Sequence, residues 1–212
     1  MSEGPTQVIF VRHGQSEDNV LGRLSGWSDS PLTALGQQQA ERTAAWLAEH
    51  YRPSALYVST LSRARQTAAP LIHVTGLEPR PRHELRELFF GDLDGLTVAE
   101  IEERFPGVWP VASNEFDLDY GFPNGEVRRE FYRRVRAAYD DIIREHAGES
   151  VIVVTHGGFI SSLLAHLVDG DFRLWRDYNV RNCGIVEIRA ENVGHEIVRW
   201  NVVEHLAGLP VW

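Results

Sequence analysis

The chain has 212 residues, 43% of them hydrophobic, a single cysteine and a formal charge of −9. That supplies enough apolar mass for one buried core, leaves no internal disulfide or cysteine-rich metal site, and argues against a nucleic-acid binder, which would carry a basic stripe. All the cationic residues are arginines, so a few of them converging on one pocket can still dominate its field.

Taken in chain order, QVIFV reads as a buried strand that runs straight into Arg12, His13 and Gly14. ALGQQQAERTAAWLAEH follows Thr33, a good N-cap, and places Ala40, Ala44, Leu47 and Ala48 on one helical face. LYVS is a second strand, and TLSRARQTA after it opens a helix whose first turn carries Arg63. TVAE fits a capping box, and Pro106 stops the short helix VAEIEERF. The stretch 106–126 is the least regular and is expected to form a lid rather than a domain boundary. Phe131, Val135, Ala138 and Ile142 mark a long amphipathic helix ended by Gly148, its arginines expected on a solvated face. SVIVV, apolar throughout, reads as a central strand delivering Thr155, His156 and Gly157. GIVEIR and EIVRWNVV predict a hairpin at one sheet edge, with Cys183 buried in the first of its strands.

This βαβ rhythm predicts an α/β three-layer sandwich over 1–212: one domain, with a mostly parallel central sheet, helices on both faces and an antiparallel edge hairpin. No charged-then-apolar leader and no apolar run of about 18 residues occurs, so a cytoplasmic protein without membrane contact is expected.

In open α/β sheets ligands sit at the carboxyl ends of the strands, and here two strands each end in a histidine followed by glycine. A lone histidine is more often a core or capping residue. Two at matched strand ends, with Arg12 beside one and Arg63 near the same edge, describe a phosphoryl pocket better than a metal site, because arginine forks match phosphate oxygens. No H-E-x-x-H or similar ligand pair occurs.

In order, VRHGQSEDN, GWSDSPLTALGQQQA, STLSRARQTA, LRELFFGDLDG and VVTHGG resemble the motifs of the histidine phosphatase, or phosphoglycerate mutase-like, superfamily. The match covers most of the chain and thins between about 105 and 122. It implies a phosphohistidine intermediate on His13, with Arg12, Arg63 and His156 holding phosphoryl oxygens. Asn19, Ser25, Gly26 and Gly157 join them as substrate or phosphate contacts. Glu87 falls where the family has its proton donor, a role that composition alone would not assign to it. Neither metal nor cofactor is implied, and two guanidinium neighbours would keep the nucleophilic imidazole unprotonated.

The expected activity is hydrolysis of small phosphorylated metabolites. A cofactor-dependent phosphoglycerate mutase is the alternative, and a non-catalytic phospholigand- or protein-binding member is a more distant one. Two observations favour the hydrolase: the chain is short for the mutase branch, and no Lys or Arg lies between Trp109 and Glu126. The aromatics Trp109, Phe116, Tyr120 and Phe122 among Glu115, Asp117, Asp119 and Glu126 either anchor the segment while the acids face water or, if they face the pocket, predict a leaving group that is uncharged or partly apolar, with carboxylates that repel a second anionic group on it. A homodimer is allowed but not specified by the sequence.

Overall fold

The computed structural model describes residues 4–191 and 194–210. In chain order the elements are β1 (Thr6–Arg12), α1 (Glu17–Leu21), α2 (Ala34–His50), β2 (Ala55–Ser59), α3 (Ser62–Thr75), β3 (Pro79–Arg82), α4 (Val98–Arg104), α5 (Val108–Ala112), α6 (Arg128–Glu145), β4 (Ser150–Thr155), α7 (Gly157–Asp169), β5 (Ile185–Glu191) and β6 (Gly194–Val202).

Strand alternation sets the layers. In β1, Val8 and Phe10 point to one face and Ile9 and Val11 to the other, and all four are fully buried. The first face packs on Phe131, Val135 and Tyr139 of α6 and on Phe159 and Leu163 of α7. The second packs on Ala44 and Leu47 of α2 and on Ala64, Ala68 and Leu71 of α3. The six strands run in the order β3-β2-β4-β1-β5-β6, parallel from β3 to β1 and antiparallel from β1 to β6. This is the three-layer α/β sandwich that the sequence predicts. Thr33 caps α2 by accepting from the Gly36 N–H, and Thr97 and Glu100 close the capping box of α4.

Several local details go beyond or against the sequence reading. The hairpin lies at one edge of the sheet as predicted, with β5 pairing to β1 from Thr6 to Val11 and β6 outermost. Part of its turn, 192–193, lies outside the described residues. The opposite edge, β3, is Pro-Arg-Pro-Arg and carries no strand signal; an edge tolerates proline because one side of it needs no N–H donor. Cys183 is buried but sits in the turn before β5 with φ +54°, and burial pushes its thiol up to about 12. The stretch 106–126 contains α5, and Ala112 and Phe122 join Leu93 and Ile101 in a small third core. The arginines of α6 do not all face water. Arg128 is buried, and Arg134 turns inward to Glu126 at 2.7 Å.

Candidate active site

Register brings the two histidines together. Arg12 of β1 pairs with Thr155 of β4, so the next residues, His13 and His156, leave adjacent strands at the same height. Their rings lie 5.2 Å apart between centroids. The His13 N–H donates to Thr155 O at 2.9 Å, which fixes the chain as it leaves the sheet. His13 Nδ1 lies 2.8 Å from the Gly14 carbonyl, which only accepts. The proton therefore sits on Nδ1, and Nε2 keeps its lone pair. Burial first, and then the charges of Arg63 and Arg12, hold the His13 pKa well below the ordinary histidine range. His156 is lowered for the same leading reason, and its Nε2 meets Ser59 Oγ at 2.7 Å, at the end of β2.

Arg63 is fully buried and held from behind. Its Nη1 donates to Ser28 O and its Nη2 to Ser25 O and Gly26 O, while Nε points at His13 Nε2 at 3.2 Å. The loop supplying those carbonyls is fastened by Asp94, whose carboxylate accepts from the Gly26 N–H at 2.7 Å and the Trp27 N–H at 2.5 Å. Gly26 thus stands behind Arg63, its N–H already used. Arg12 donates from Nη1 to Val180 O at 2.6 Å, and its guanidinium lies against Gly157, where a Cβ would come within 3.2 Å of Nε. Two buried nitrogens at this cluster, Arg12 Nε and His156 Nδ1, have no hydrogen-bond partner among the described residues.

Glu87 approaches from the segment after β3. It accepts from the Leu88 N–H at 3.0 Å and from the Gly158 N–H of α7 at 2.8 Å. Its backbone carbonyl is fixed by Trp27 Nε1 and Arg134 Nη2. Burial raises its pKa, against the pull of the two backbone donors and of Arg63 and Arg12. Asn19 accepts on Oδ1 from Asn182 Nδ2 and the Ser16 N–H.

A cavity of about 400 Å³ is lined by Arg12, His13, Asn19, Ser25, Glu87 and Gly157, with Arg63, His156 and Gly26 directly behind that wall. Its outer part has Trp109, Phe122 and Glu115 from the stretch 106–126, but Phe116, Asp117, Asp119, Tyr120 and Glu126 are not on it. Asp119 and Glu126 are instead paired with Arg129 and Arg134, and Glu115 with Arg176. Meanwhile Arg23, Arg128 and Arg176 reach the cavity from outside that stretch. The expectation of a carboxylate-lined mouth that repels a second anion therefore fails, because ion pairing draws those acids away and folding brings in distant arginines. Among the described residues no three His, Cys, Asp or Glu side chains come together to hold a metal ion.

Ser59, Asp94 and Arg128 escaped the sequence reading. Ser59 ends LYVS and falls under the same strand-end rule that marked His13. Arg128 stands three residues before Phe131 and seven before Val135, on the apolar stripe of its helix. Asp94 lies within the LRELFFGDLDG motif, but no local pattern gave it a role, which is to fasten a loop distant in sequence.

The family model of the histidine phosphatase superfamily (branch 1) matches residues 8–203. The chain belongs to this superfamily. This histidine phosphatase is 30% identical over 209 residues to a metal-independent phosphoserine phosphatase of Arabidopsis thaliana, covering 96% of the chain and 84% of the relative. It is 34% identical over 170 residues to glucosyl-3-phosphoglycerate phosphatase of Mycobacterium tuberculosis, covering 76% and 75%. An α-ribazole-5′-P phosphatase structure from Escherichia coli superposes with a TM-score of 0.86 over 93% of this chain and 96% of that one; at 24% identity it supports the fold alone.

Proposed function

We propose that this histidine phosphatase hydrolyses small phosphomonoesters without a metal, with His13 as the nucleophile and Glu87 as proton donor and then base. The observation that carries the reading is the His13 tautomer. The Gly14 carbonyl holds the proton on Nδ1, so Nε2 keeps its lone pair; here it accepts from Arg63 Nε at 3.2 Å, a donor that an entering phosphoryl oxygen would take over.

In the first step Nε2 attacks phosphorus as the bond to the leaving oxygen breaks, and that oxygen takes the proton of Glu87. In the second, the Glu87 carboxylate takes a proton from water as the water oxygen attacks the phosphohistidine, which releases phosphate and restores Nε2. Both steps spread charge over three equatorial oxygens. Arg12 Nε and His156 Nδ1, buried and unpartnered, are the donors such oxygens would satisfy, along with Arg63 Nε and the Asn19 amide. For His156 this requires the proton on Nδ1, and the Ser59 hydroxyl can enforce it by donating to Nε2. Burial pushes His13 towards its neutral form and Glu87 towards its acid form, as the first step needs. Ser25 and Gly26 serve through their carbonyls, which hold Arg63, and Gly157 lets Arg12 lie flat. The same reading takes 1–212 as one domain in the cytoplasm, with 106–126 as the cover of the cavity. Small phosphorylated metabolites are its partners, and nucleic acid is not.

The test is to trap the intermediate. Wild-type protein quenched during turnover of a radiolabelled phosphomonoester should carry base-stable, acid-labile label, and His13→Ala should carry none and release no phosphate. Label on a serine, or full activity in His13→Ala, would overturn the proposal. Label passing to a second phosphorylated acceptor in preference to water would install a mutase instead.

A further inference from the structure

Glu87 stands on an irregular stretch between β3 and α4, outside every strand and helix, so no regular ladder of backbone hydrogen bonds fixes it. Proton transfer nevertheless tolerates a misplacement of only about 1 Å. The carbonyls of this stretch are held from elsewhere in the fold. Leu85 O accepts from Thr155 Oγ1 of β4 at 2.6 Å. The others converge on Arg134 of α6, whose Nη1 donates to Glu84 O at 2.9 Å and Arg86 O at 2.7 Å and whose Nη2 donates to Glu87 O at 3.1 Å.

The same guanidinium makes a fork with Glu126, Nε to Oε1 at 2.9 Å and Nη2 to Oε2 at 2.7 Å, with the two side chains only 14% and 16% exposed. Burying an ion pair gains little net stability, because desolvation offsets the attraction. A bidentate fork does fix geometry. Glu126 ends the stretch 106–126, whose Trp109 and Phe122 line the outer cavity, and that end is seated on the residues just after Glu87. The Glu126 N–H donates to Phe89 O at 2.9 Å, the Asp92 N–H to Pro123 O at 2.8 Å, and Glu126 Oε2 accepts from the Phe89 N–H at 3.3 Å. The two backbones touch there: a Cβ at Gly125 would stand 2.7 Å from both Phe89 O and Gly91 N.

We propose that the Arg134–Glu126 pair is a positioning device for proton donation, which clasps the Glu87 stretch to the end of the covering segment and so sets where the carboxyl group stands against a bound leaving group. Neither residue is part of the cavity wall, and among the described residues neither hydrogen-bonds to Arg12, His13, Arg63 or His156. The pair therefore acts on delivery of the proton and not on the grip of the phosphoryl group.

The inference rests on the hydrolase reading, and the experiment separates the two. It compares kcat/KM for phenyl phosphate and p-nitrophenyl phosphate, which differ by a nitro group: phenolate needs a proton to leave, p-nitrophenolate does not. Because kcat/KM extends only to departure of the leaving group, hydrolysis of the phosphohistidine does not enter. Loss of both activities in His13→Ala and a selective loss on phenyl phosphate in Glu87→Gln test the parent reading; if either fails, that reading falls and the clasp with it. In Arg134→Gln and in Glu126→Gln, kcat/KM for phenyl phosphate should fall about ten- to a hundredfold, part of the roughly 10²–10⁴-fold that acid assistance supplies, while that for p-nitrophenyl phosphate stays within about threefold. Arg134→Lys, which keeps the charge without the fork, should lie between. These two glutamine variants change the local charge in opposite senses, so a purely electrostatic action on Glu87 would move the phenyl to p-nitrophenyl ratio in opposite directions and overturn the clasp. An equal fall for both substrates, or a ratio unchanged in a folded variant, overturns it as well and leaves the hydrolase standing. Glu126→Gln preserves the shape of the side chain and is read alone if urea unfolding shows that Arg134→Gln does not fold.

Discussion

Gly158→Ala should separate catalysis from folding. Gly158 is the second residue of α7 and has ordinary helical φ, so its backbone tolerates a side chain. The obstacle is Glu87: a Cβ at 158 would collide with Oε1 and stand 3.0 Å from Cδ and 3.1 Å from Oε2. The carboxylate must swing away and give up the 2.8 Å bond from the Gly158 N–H. Alanine in place of glycine gains up to about 1 kcal/mol of helix propensity. The lost charge-assisted bond costs about 1.5–3 kcal/mol, partly returned as the half-buried carboxylate regains water. Stability should therefore change by no more than about 1–2 kcal/mol. Catalysis has no such compensation, since general acid and base assistance contributes about 10²–10⁴-fold and a displacement of about 1 Å can remove most of it. A fall in kcat of at least about a hundredfold, or roughly 2.7 kcal/mol, is expected for an alkyl monophosphate. The loss should be smaller for p-nitrophenyl phosphate, whose leaving group departs without a proton. Steady-state kinetics and urea unfolding on the same preparation read both quantities. A folded variant with kcat within twofold of wild type would refute the placement of Glu87.

Two further outcomes are expected. His13 and His156 both have pKa values held below the ordinary 6.5 in the fold, so the unfolded chain takes up their protons first. Their contribution is complete above about pH 7 and is lost as pH falls through 6.5, by at most about 1.4 kcal/mol per pH unit for each. Urea unfolding at a series of pH values between 7.5 and 5.5 should show this slope in the wild type and a flatter one in a His13→Asn/His156→Asn variant; parallel curves would contradict it. Incubation with EDTA should leave the hydrolysis rate unchanged, because arginine and histidine donors already supply the positive charge at the phosphoryl group. Loss of activity that a single divalent ion restores would argue against the metal-free mechanism.

The sequence by itself determined the strand ends and their cargo. Four apolar residues in a row before Arg12-His13-Gly14, and again before Thr155-His156-Gly157, specify central strands, and central strands end at the ligand edge whatever their neighbours are. Caps such as Thr33 and Thr97 were legible for the same reason: their partners lie three residues away. Glu87 came only through the motif around it, because its contacts to Gly158 and to the cavity join segments some seventy residues apart. The charge of the outer cavity was decided by tertiary structure alone. Composition placed acids between Trp109 and Glu126, but Asp119 and Glu126 found arginine partners on α6, and Glu115 found Arg176. Arg23, Arg128 and Arg176 then entered from three other parts of the chain. Local pattern fixes which face a residue occupies, but the field in a cavity is a sum over segments that meet only when the chain has folded.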